Sequence, residues 1–382
     1  MNISSELPTK PILSLCMIVK NEKENLPRCL ASVKPYVNEM IVVDTGSDDG
    51  TPEIAANYGA KVSSFEWCDD FAAARNYAIS QASGNWILVL DADEELIVTS
   101  AEDFLNQLIS QPNVNLYSIS LTDVKGEVGL TPAWVPRLFR NTPGIKYEGC
   151  YHEQVKYHEQ AIAKHQVGYL DSIKILHYGY SQEELFAKNL NRNIPILERI
   201  RQNEGLNLML LYCLAGMYNN TQQAEKARDC YAEAFNQLLP NLIDGVPPDD
   251  FVFVPSLIFT LGSQSLQQDD YETARLLCQR GLEWCPNYPP VNYLAGATLR
   301  ALGFSLGAIA YLETCIQLGR DNSYYKGEPF ELGYMTTFPT YDMGCIYLDE
   351  KRPQDALAAF ELALSFDPNF HAAQQKIEQI KQ

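Results

Sequence analysis

The sequence predicts two fold classes in one chain of 382 residues. An α/β domain on a mixed, mostly parallel sheet occupies residues 1–180. A connecting helix covers 181–202, and an all-α domain of helical repeats covers 203–382. Three observations predict this. Short β-rich runs alternate with amphipathic segments through the first hundred residues, the signature of βαβ units. After residue 203 the β-rich runs stop. Small residues then recur at a fixed phase among larger ones.

Within the first domain, Ile12–Val19 (ILSLCMIV) is a continuous apolar run, as expected for a strand buried on both faces. A helix follows, with Asn25 as N-cap candidate and Pro27 in its first turn. Met40–Val43 is a second strand. Thr51, Pro52 and Glu53 read as N-cap, proline at the first helical position and a carboxylate in the first turn. Gly59 stands where a helix-ending glycine is expected. Lys61–Phe65 is a third strand, Asp69 to about Ser83 a helix closed by Gly84, and Trp86–Leu90 (WILVL) a fourth strand. In such sheets ligands bind beyond the carboxyl ends of the strands, so the residues after Val43 and Leu90 are placed at a site by topology. Leu116–Leu121, Trp134–Phe139, Lys146–Val155 and Val167–Leu176 read as added, partly antiparallel strands. Ser181-x-x-Glu184 fits a capping box that opens the connecting helix.

The second domain follows tetratricopeptide spacing. Leu214, Ala215, Tyr218, Ala227, Tyr231 and Ala234 set the pattern. Leu261, Gly262, Tyr271, Ala274, Gly281 and Pro286 repeat it. Gly296, Leu299, Ala308 and Leu312 do so more loosely, and Gly344, Tyr347, Ala356, Phe360, Ala363 and Pro368 most fully. About four repeats result, with insertions near 240–253 and 320–335 that have loop composition.

Composition narrows the function. With 29 Lys+Arg against 48 Asp+Glu the net charge is −19, which argues against nucleic acid and against a polybasic membrane anchor. The ten cysteines form no CxxC pair and no zinc spacing, which points to a reducing compartment. The apolar run near the N-terminus is too short for a membrane span and lacks a cleavage site. The expectation is a cytoplasmic protein, with a peripheral place at the inner face of the membrane left open.

The chemistry concentrates after the strands. Asp91-Ala92-Asp93-Glu94 follows WILVL directly. Carboxylates at i and i+2 beyond a buried parallel strand suit Mg²⁺ or Mn²⁺, and such an ion can bridge the phosphates of a nucleotide. Asp44 opens the loop Thr45-Gly46-Ser47-Asp48-Asp49-Gly50, placed to accept from a base or ribose. Asn21-Glu22 follows the first strand, and Asp70 to Asn76, with Arg75, precedes the Asp91 strand.

These residues carry a resemblance. MIVKNE, VVDTGSDDGT, the Ala-Arg-Asn helix and WILVLDADE look like the family 2 glycosyltransferases of the GT-A, nucleotide-diphospho-sugar transferase fold, a Rossmann-like mixed sheet. The match is close over residues 12–100 and looser to about 180. Within that family the chain is similar to lipopolysaccharide-core glucosyltransferases. Its tetratricopeptide array further resembles glycocin-type peptide S-glycosyltransferases. The resemblance implies inverting transfer of a sugar from a nucleotide-diphosphate donor, UDP-linked by default, to a glycan, lipid-linked or peptide acceptor. It implies that Asp44 contacts the base, that Asp91 with Ala92 sits near the ribose and that Asp93 binds the metal. Arg75 would position the nucleotide or diphosphate, and Glu22 would lie at the nucleotide.

Two later motifs complete the candidates. Tyr151-His152-Glu153-Gln154 offers Glu153 as catalytic base, with His152 orienting it or touching the acceptor. Ile175 to Tyr180 offers His177 as a further metal ligand. Trp134 and Arg137 offer an aromatic face and a guanidinium for the acceptor, or are ordinary packing. The repeats suit a protein partner or self-association. The competing reading is a tetratricopeptide adaptor whose enzyme domain has degenerated.

Overall fold

A computed structural model of the chain describes residues 13–124, 129–179 and 181–381. Ile12 of the first strand run and Tyr180 of the His177 motif lie outside them. Two compact units emerge. One comprises residues up to 124 with Pro132–Asn203, the other Glu204 onward with Gly129–Thr131.

The first unit runs β1 (Leu13–Val19), α1 (Leu26–Val33), β2 (Glu39–Asp44), α2 (Thr51–Asn57), β3 (Lys61–Ser64), α3 (Phe71–Ile79), β4 (Trp86–Val89), β5 (Glu94–Val98) and α4 (Ala101–Ser110). It continues with β6 (Leu116–Asp123), β7 (Ala133–Arg140), β8 (Ile145–Glu148), β9 (Gln154–Tyr157), β10 (Gln160–Ala161) and β11 (Val167–His177). Eight strands form one mixed sheet in the order β3-β2-β1-β4-β7-β6-β11-β5. Side chains alternate across it. Leu15, Met17, Val42 and Leu88 enter one core, while Cys16, Ile41, Val43 and Val89 enter the other.

Strand direction places the site. β1, β2, β3 and β4 are parallel. β7 is antiparallel to β4, β6 to β7, and β11 is parallel to β6. β6 and β11 therefore run the same way as β4, and β5 runs against β11. The carboxyl ends of β1, β2, β4, β6 and β11, and the amino end of β5, share one edge.

Several local expectations shift, each for a visible reason. Asn25 is at the N-cap of α1 but makes no capping bond; its amide donates to Glu22 Oε2 at 3.0 Å. Gly50, at φ 91°, is the N-cap of α2 in place of Thr51, because Thr51 donates through both N and Oγ1 to Asp49 Oδ1. α3 stops at Ile79. Beyond it, Ser83 bonds Glu39 and Gly84 bonds Ser14, tying that segment to β1 and β2. The run Lys146–Val155 is two strands of a separate three-stranded sheet, split by a loop where Gly149 and His152 take positive φ. β5 and α4 have no counterpart in the sequence reading.

The connecting segment is not one helix. Ser181 opens α5 (Gln182–Lys188) with a full capping box. A π turn, Asn189–Asn193, then leads into α6 (Ile194–Glu204). Pro195 lacks an N–H and would crowd the carbonyl four residues back, so the helix widens there.

Among the described residues the second unit contains four packed helix pairs and a last helix. The pairs are α7 (Leu208–Asn220) with α8 (Ala224–Asp244), α9 (Val254–Gln267) with α10 (Tyr271–Trp284), α11 (Pro289–Ala301) with α12 (Ser305–Arg320), and α13 (Thr337–Asp349) with α14 (Pro353–Phe366). α15 is His371–Lys381. The small residues of the repeat pattern lie where helices meet. A Cβ on Gly281 would stand 2.8 Å from Val291, and one on Gly344 would stand 2.5 Å from Phe360. The stretch near 240–253 is partly helical, since α8 runs through Pro240 to Asp244. Among the described residues, no helix is long and apolar enough to cross a membrane.

Candidate active site

The first two strand-end loops are laced together. Asn21, at φ 55°, accepts from Asp48 N at 2.9 Å, and its own N donates to Ser47 Oγ at 2.8 Å. Glu22 N donates to Thr51 Oγ1 at 2.8 Å. Asp44 is buried and accepts from the backbone N–H of Gly46 and Ser47, each at 3.1 Å. Its carboxylate shapes the loop after β2.

Beyond β4 the carboxylates meet two guanidiniums, Arg75 buried and Arg137 largely so. Arg75 on α3 donates through Nη2 to Asp91 Oδ1 at 2.9 Å and through Nε to Glu153 Oε1 at 2.6 Å. Arg137 on β7 donates to Asp91 Oδ2 at 2.8 Å and to Glu94 Oε1. Glu94 Oε2 accepts from Asp91 N at 2.9 Å. Charge thus alternates along Glu153, Arg75, Asp91, Arg137 and Glu94. Burial works to raise the Asp91 carboxyl, but Arg137 and Arg75 outweigh it and hold Asp91 well below the usual carboxylate range. Glu94, only 1 % exposed, is pushed up by burial to about 7 against the pull of Arg137.

His177 ends β11 beside Asp93. Its Nε2 lies 3.4 Å from Asp93 Oδ2, and its Nδ1 3.8 Å from Asp123 Oδ2 at the end of β6. Burial lowers the His177 pKa, but the hydrogen bond and charge of Asp93 raise it further, so the net shift is upward. Among the described residues no group of three or more His, Cys, Asp or Glu is arranged to hold a metal ion. Asp93 supplies a carboxylate of the kind that suits Mg²⁺ or Mn²⁺, whose other ligands come from substrate phosphates and water, and His177 stands beside it.

These loops enclose a cleft of about 610 Å³. Of the residues singled out from sequence, Glu22, Arg75, Asp91, Ala92, Asp93, His152, Glu153 and His177 line it. Three others do not. Asp44 is engaged by Gly46 and Ser47 of its own loop, Arg137 is held by Asp91 and Glu94, and Trp134 packs edge-on against Tyr169 at 5.2 Å. The lining also includes Lys20, Thr45, Trp67, Phe71, Lys188 and Arg192, to which the sequence reading assigned no role at the site. For the last two, a sequence signal existed: Lys188-Asn189 and Arg192-Asn193 repeat a basic–Asn pair four residues apart.

The comparisons with known proteins agree with this architecture. Residues 14–150 match the model of glycosyl transferase family 2, and residues 341–370 match a tetratricopeptide repeat. A TPR repeat-containing protein of Synechococcus elongatus is 43% identical over 196 residues, which cover 50% of this chain and 46% of that protein. The prophage-derived glycosyltransferase SunS of Bacillus subtilis is 26% identical over 246 residues, 59% of this chain and 54% of SunS. An uncharacterized glycosyltransferase of Rickettsia bellii is 38% identical over 113 residues, 30% of this chain and 37% of that protein. The chain thus spans about half the length, or less, of these curated relatives. Its residues 14–150 are thus similar to family 2 glycosyltransferases, and residues 341–370 to a tetratricopeptide repeat.

Proposed function

We propose that this chain is an inverting glycosyltransferase that takes its sugar from a nucleotide-diphosphate donor, UDP-linked by default. The observation that carries this reading is the gathering of Glu22, Asp91, Asp93, Glu153 and His177 in one cleft at the strand ends. Glu153 is the base. Arg75 holds its Oε1, leaving Oε2 to take the proton of the acceptor nucleophile as that nucleophile bonds to C1 of the sugar. The bond from C1 to the diphosphate oxygen breaks, and its electron pair leaves with the nucleoside diphosphate. Arg75 thereby serves as a positioning residue for Glu153 and Asp91 rather than as a phosphate ligand. Asp91, Ala92 and Glu22 face the nucleotide, with Asp44 setting the loop beside it. Asp93 and His177 would hold a Mg²⁺ or Mn²⁺ ion, which neutralises diphosphate charge when bound. His152 is the nearest acceptor candidate to Glu153; Arg137 acts through Asp91 instead. The acceptor is a glycan, a lipid-linked intermediate or a peptide, and the repeats favour a peptide or protein partner.

The test begins with a donor screen by thermal shift in Mn²⁺, since a ligand of the folded state raises its apparent stability. The matched donor then reports turnover. Glu153→Gln is expected to lower kcat by about 10²–10⁴-fold while UDP binding stays. If no nucleotide sugar binds or turns over, and Asp93→Ala changes nothing, the enzyme reading fails. Partner capture through the repeats by the wild type and an Asp91/Asp93 double variant alike, with no product from either, would favour the adaptor.

A further inference from the structure

The cleft presents four carboxylates, Glu22, Asp91, Asp93 and Glu153, to a donor that is itself a polyanion. The guanidiniums beside them are already engaged, Arg75 by Asp91 and Glu153, Arg137 by Asp91 and Glu94. Beyond the cation proposed at Asp93 and His177, further positive charge at the diphosphate would offset these carboxylates. The segment after the sheet supplies it. Lys188 and Arg192, four residues apart and so on one helical face, both line the cleft.

That segment is held in place by more than its own backbone. Asn189 and Asn193, also four apart, are buried at 5 % and 6 % exposure, and Asn193 Nδ2 donates to Asn189 Oδ1 at 2.8 Å. This pair turns one face inward and leaves the neighbouring face, with Lys188 and Arg192, to the cleft. The Arg192 guanidinium lies 5.3 Å from the Phe71 ring centroid. Arg199 on α6 pairs with Asp69 at 2.7 Å, and Asp69 also accepts from Trp67 Nε1 at 2.7 Å. The helix is thus seated on the Trp67–Phe71 rim. Arg192 stands in a π turn, a form that gathers at functional sites, and Lys188 is the residue just before it. Burial lowers the Lys188 ammonium to about 8, with Glu22 and Asp93 acting upward and Arg192 downward, which places Lys188 electrostatically among these groups.

We infer that the helical segment from Gln182 to Asn203 belongs to the donor site, and that Lys188 and Arg192 bind the diphosphate of the nucleotide donor. The inference rests on the nucleotide-donor reading above. As the bond from C1 to the diphosphate oxygen breaks, the electron pair stays on that oxygen, and these two cations take up the added charge. The connecting segment is then part of the donor site rather than a spacer.

Isothermal titration of the full chain with UDP, UMP and uridine in Mn²⁺ tests this. The proteins are wild type, Lys188→Ala, Arg192→Ala, the double variant, and the charge-keeping Lys188→Arg and Arg192→Lys. The double variant is expected to weaken UDP by about tenfold or more, the scale of charge-assisted phosphate contacts, UMP less, and uridine not at all. The charge-keeping variants should recover most of the loss. Uridine binding and circular dichroism report that the variants are folded. Equal weakening of UDP and uridine, or unchanged UDP affinity, overturns the assignment of Lys188 and Arg192 alone. A wild type that binds none of UDP, ADP, GDP or CDP overturns the donor reading, and this inference with it.

Discussion

In the first unit, five side chains from Glu153 to Glu94 alternate in charge through two guanidiniums that burial would otherwise make costly. In the second unit the helix pairs close on Gly262, Gly281, Gly296 and Gly344, each meeting a large apolar neighbour. The first arrangement depends on every partner being present, because a buried charge without its counter-charge is penalised. The second depends chiefly on volume. The two units should therefore fail in different ways: the first when a charge is removed, the second when an atom is added.

Removing Arg137 should produce the larger effect. Arg137→Ala leaves Glu94, 1 % exposed, facing Asp91 without their shared cation. The expected loss is about 3 kcal/mol, read as faster amide hydrogen exchange across β4, β5 and β7 while α7–α15 keep their protection. Donor turnover should fall too, because Asp91 loses one of its two guanidinium anchors. Unaltered exchange in the first unit would mean that the alternating run does not hold the cleft.

The matching experiment in the repeats adds one methyl. A Cβ on Gly344 meets Phe360 at 2.5 Å, so Gly344→Ala should cost about 1–3 kcal/mol by overpacking. Gly216, in the exposed face of α7, has nothing within 4 Å, so Gly216→Ala should instead gain about 0.5–1 kcal/mol. Opposite signs in chemical denaturation would separate packing from helix propensity. Equal signs would break the contrast between the units.

How far the molecule can be read from its sequence follows the same division. Period and topology suffice for β1 to β4, and the rule that ligands sit beyond parallel strand ends leads to Glu22 and Asp91–Asp93 without coordinates. Repeat phase likewise locates the glycines that meet neighbouring helices. What stays hidden depends on pairings distant in sequence. That Arg137 reaches Asp91 requires β7 to lie antiparallel beside β4, and that His177 meets Asp93 requires β11 to pair with β5. Local side-chain choices are hidden as well: Asn25 prefers Glu22 to its own helix, and Ser83 prefers Glu39 to a longer α3. Lys188 and Arg192 escape notice because a basic pair on a helix ordinarily reads as solvated surface, and only the cleft gives it a purpose.

The second unit does contain one group that behaves as the first unit's do, and it is the place where the contrast can be sharpened most finely. Burial pushes the Glu328 carboxyl up to about 7, and the charge of Asp250 adds to it. Tyr212 and Cys213 on α7, together with Tyr288, feel that carboxylate in turn. Its ordinary value is 4.5, so between about pH 4.5 and 7 the folded unit keeps a proton that the unfolded chain has released. The sign follows: this contribution is fully present below pH 4.5 and is lost as pH rises through 7. The loss should be about 3 kcal/mol. Glu328→Gln keeps the shape and hydrogen-bonding capacity but cannot ionise, so its repeat unit should stay level over that window while the wild type weakens. Hydrogen exchange of α7 and α9–α11, measured in both proteins from pH 5 to 8 and corrected for intrinsic rates, would show the two curves diverging. Parallel curves would mean that Glu328 is solvated in the folded unit, and that the repeats hold no buried charge at this position.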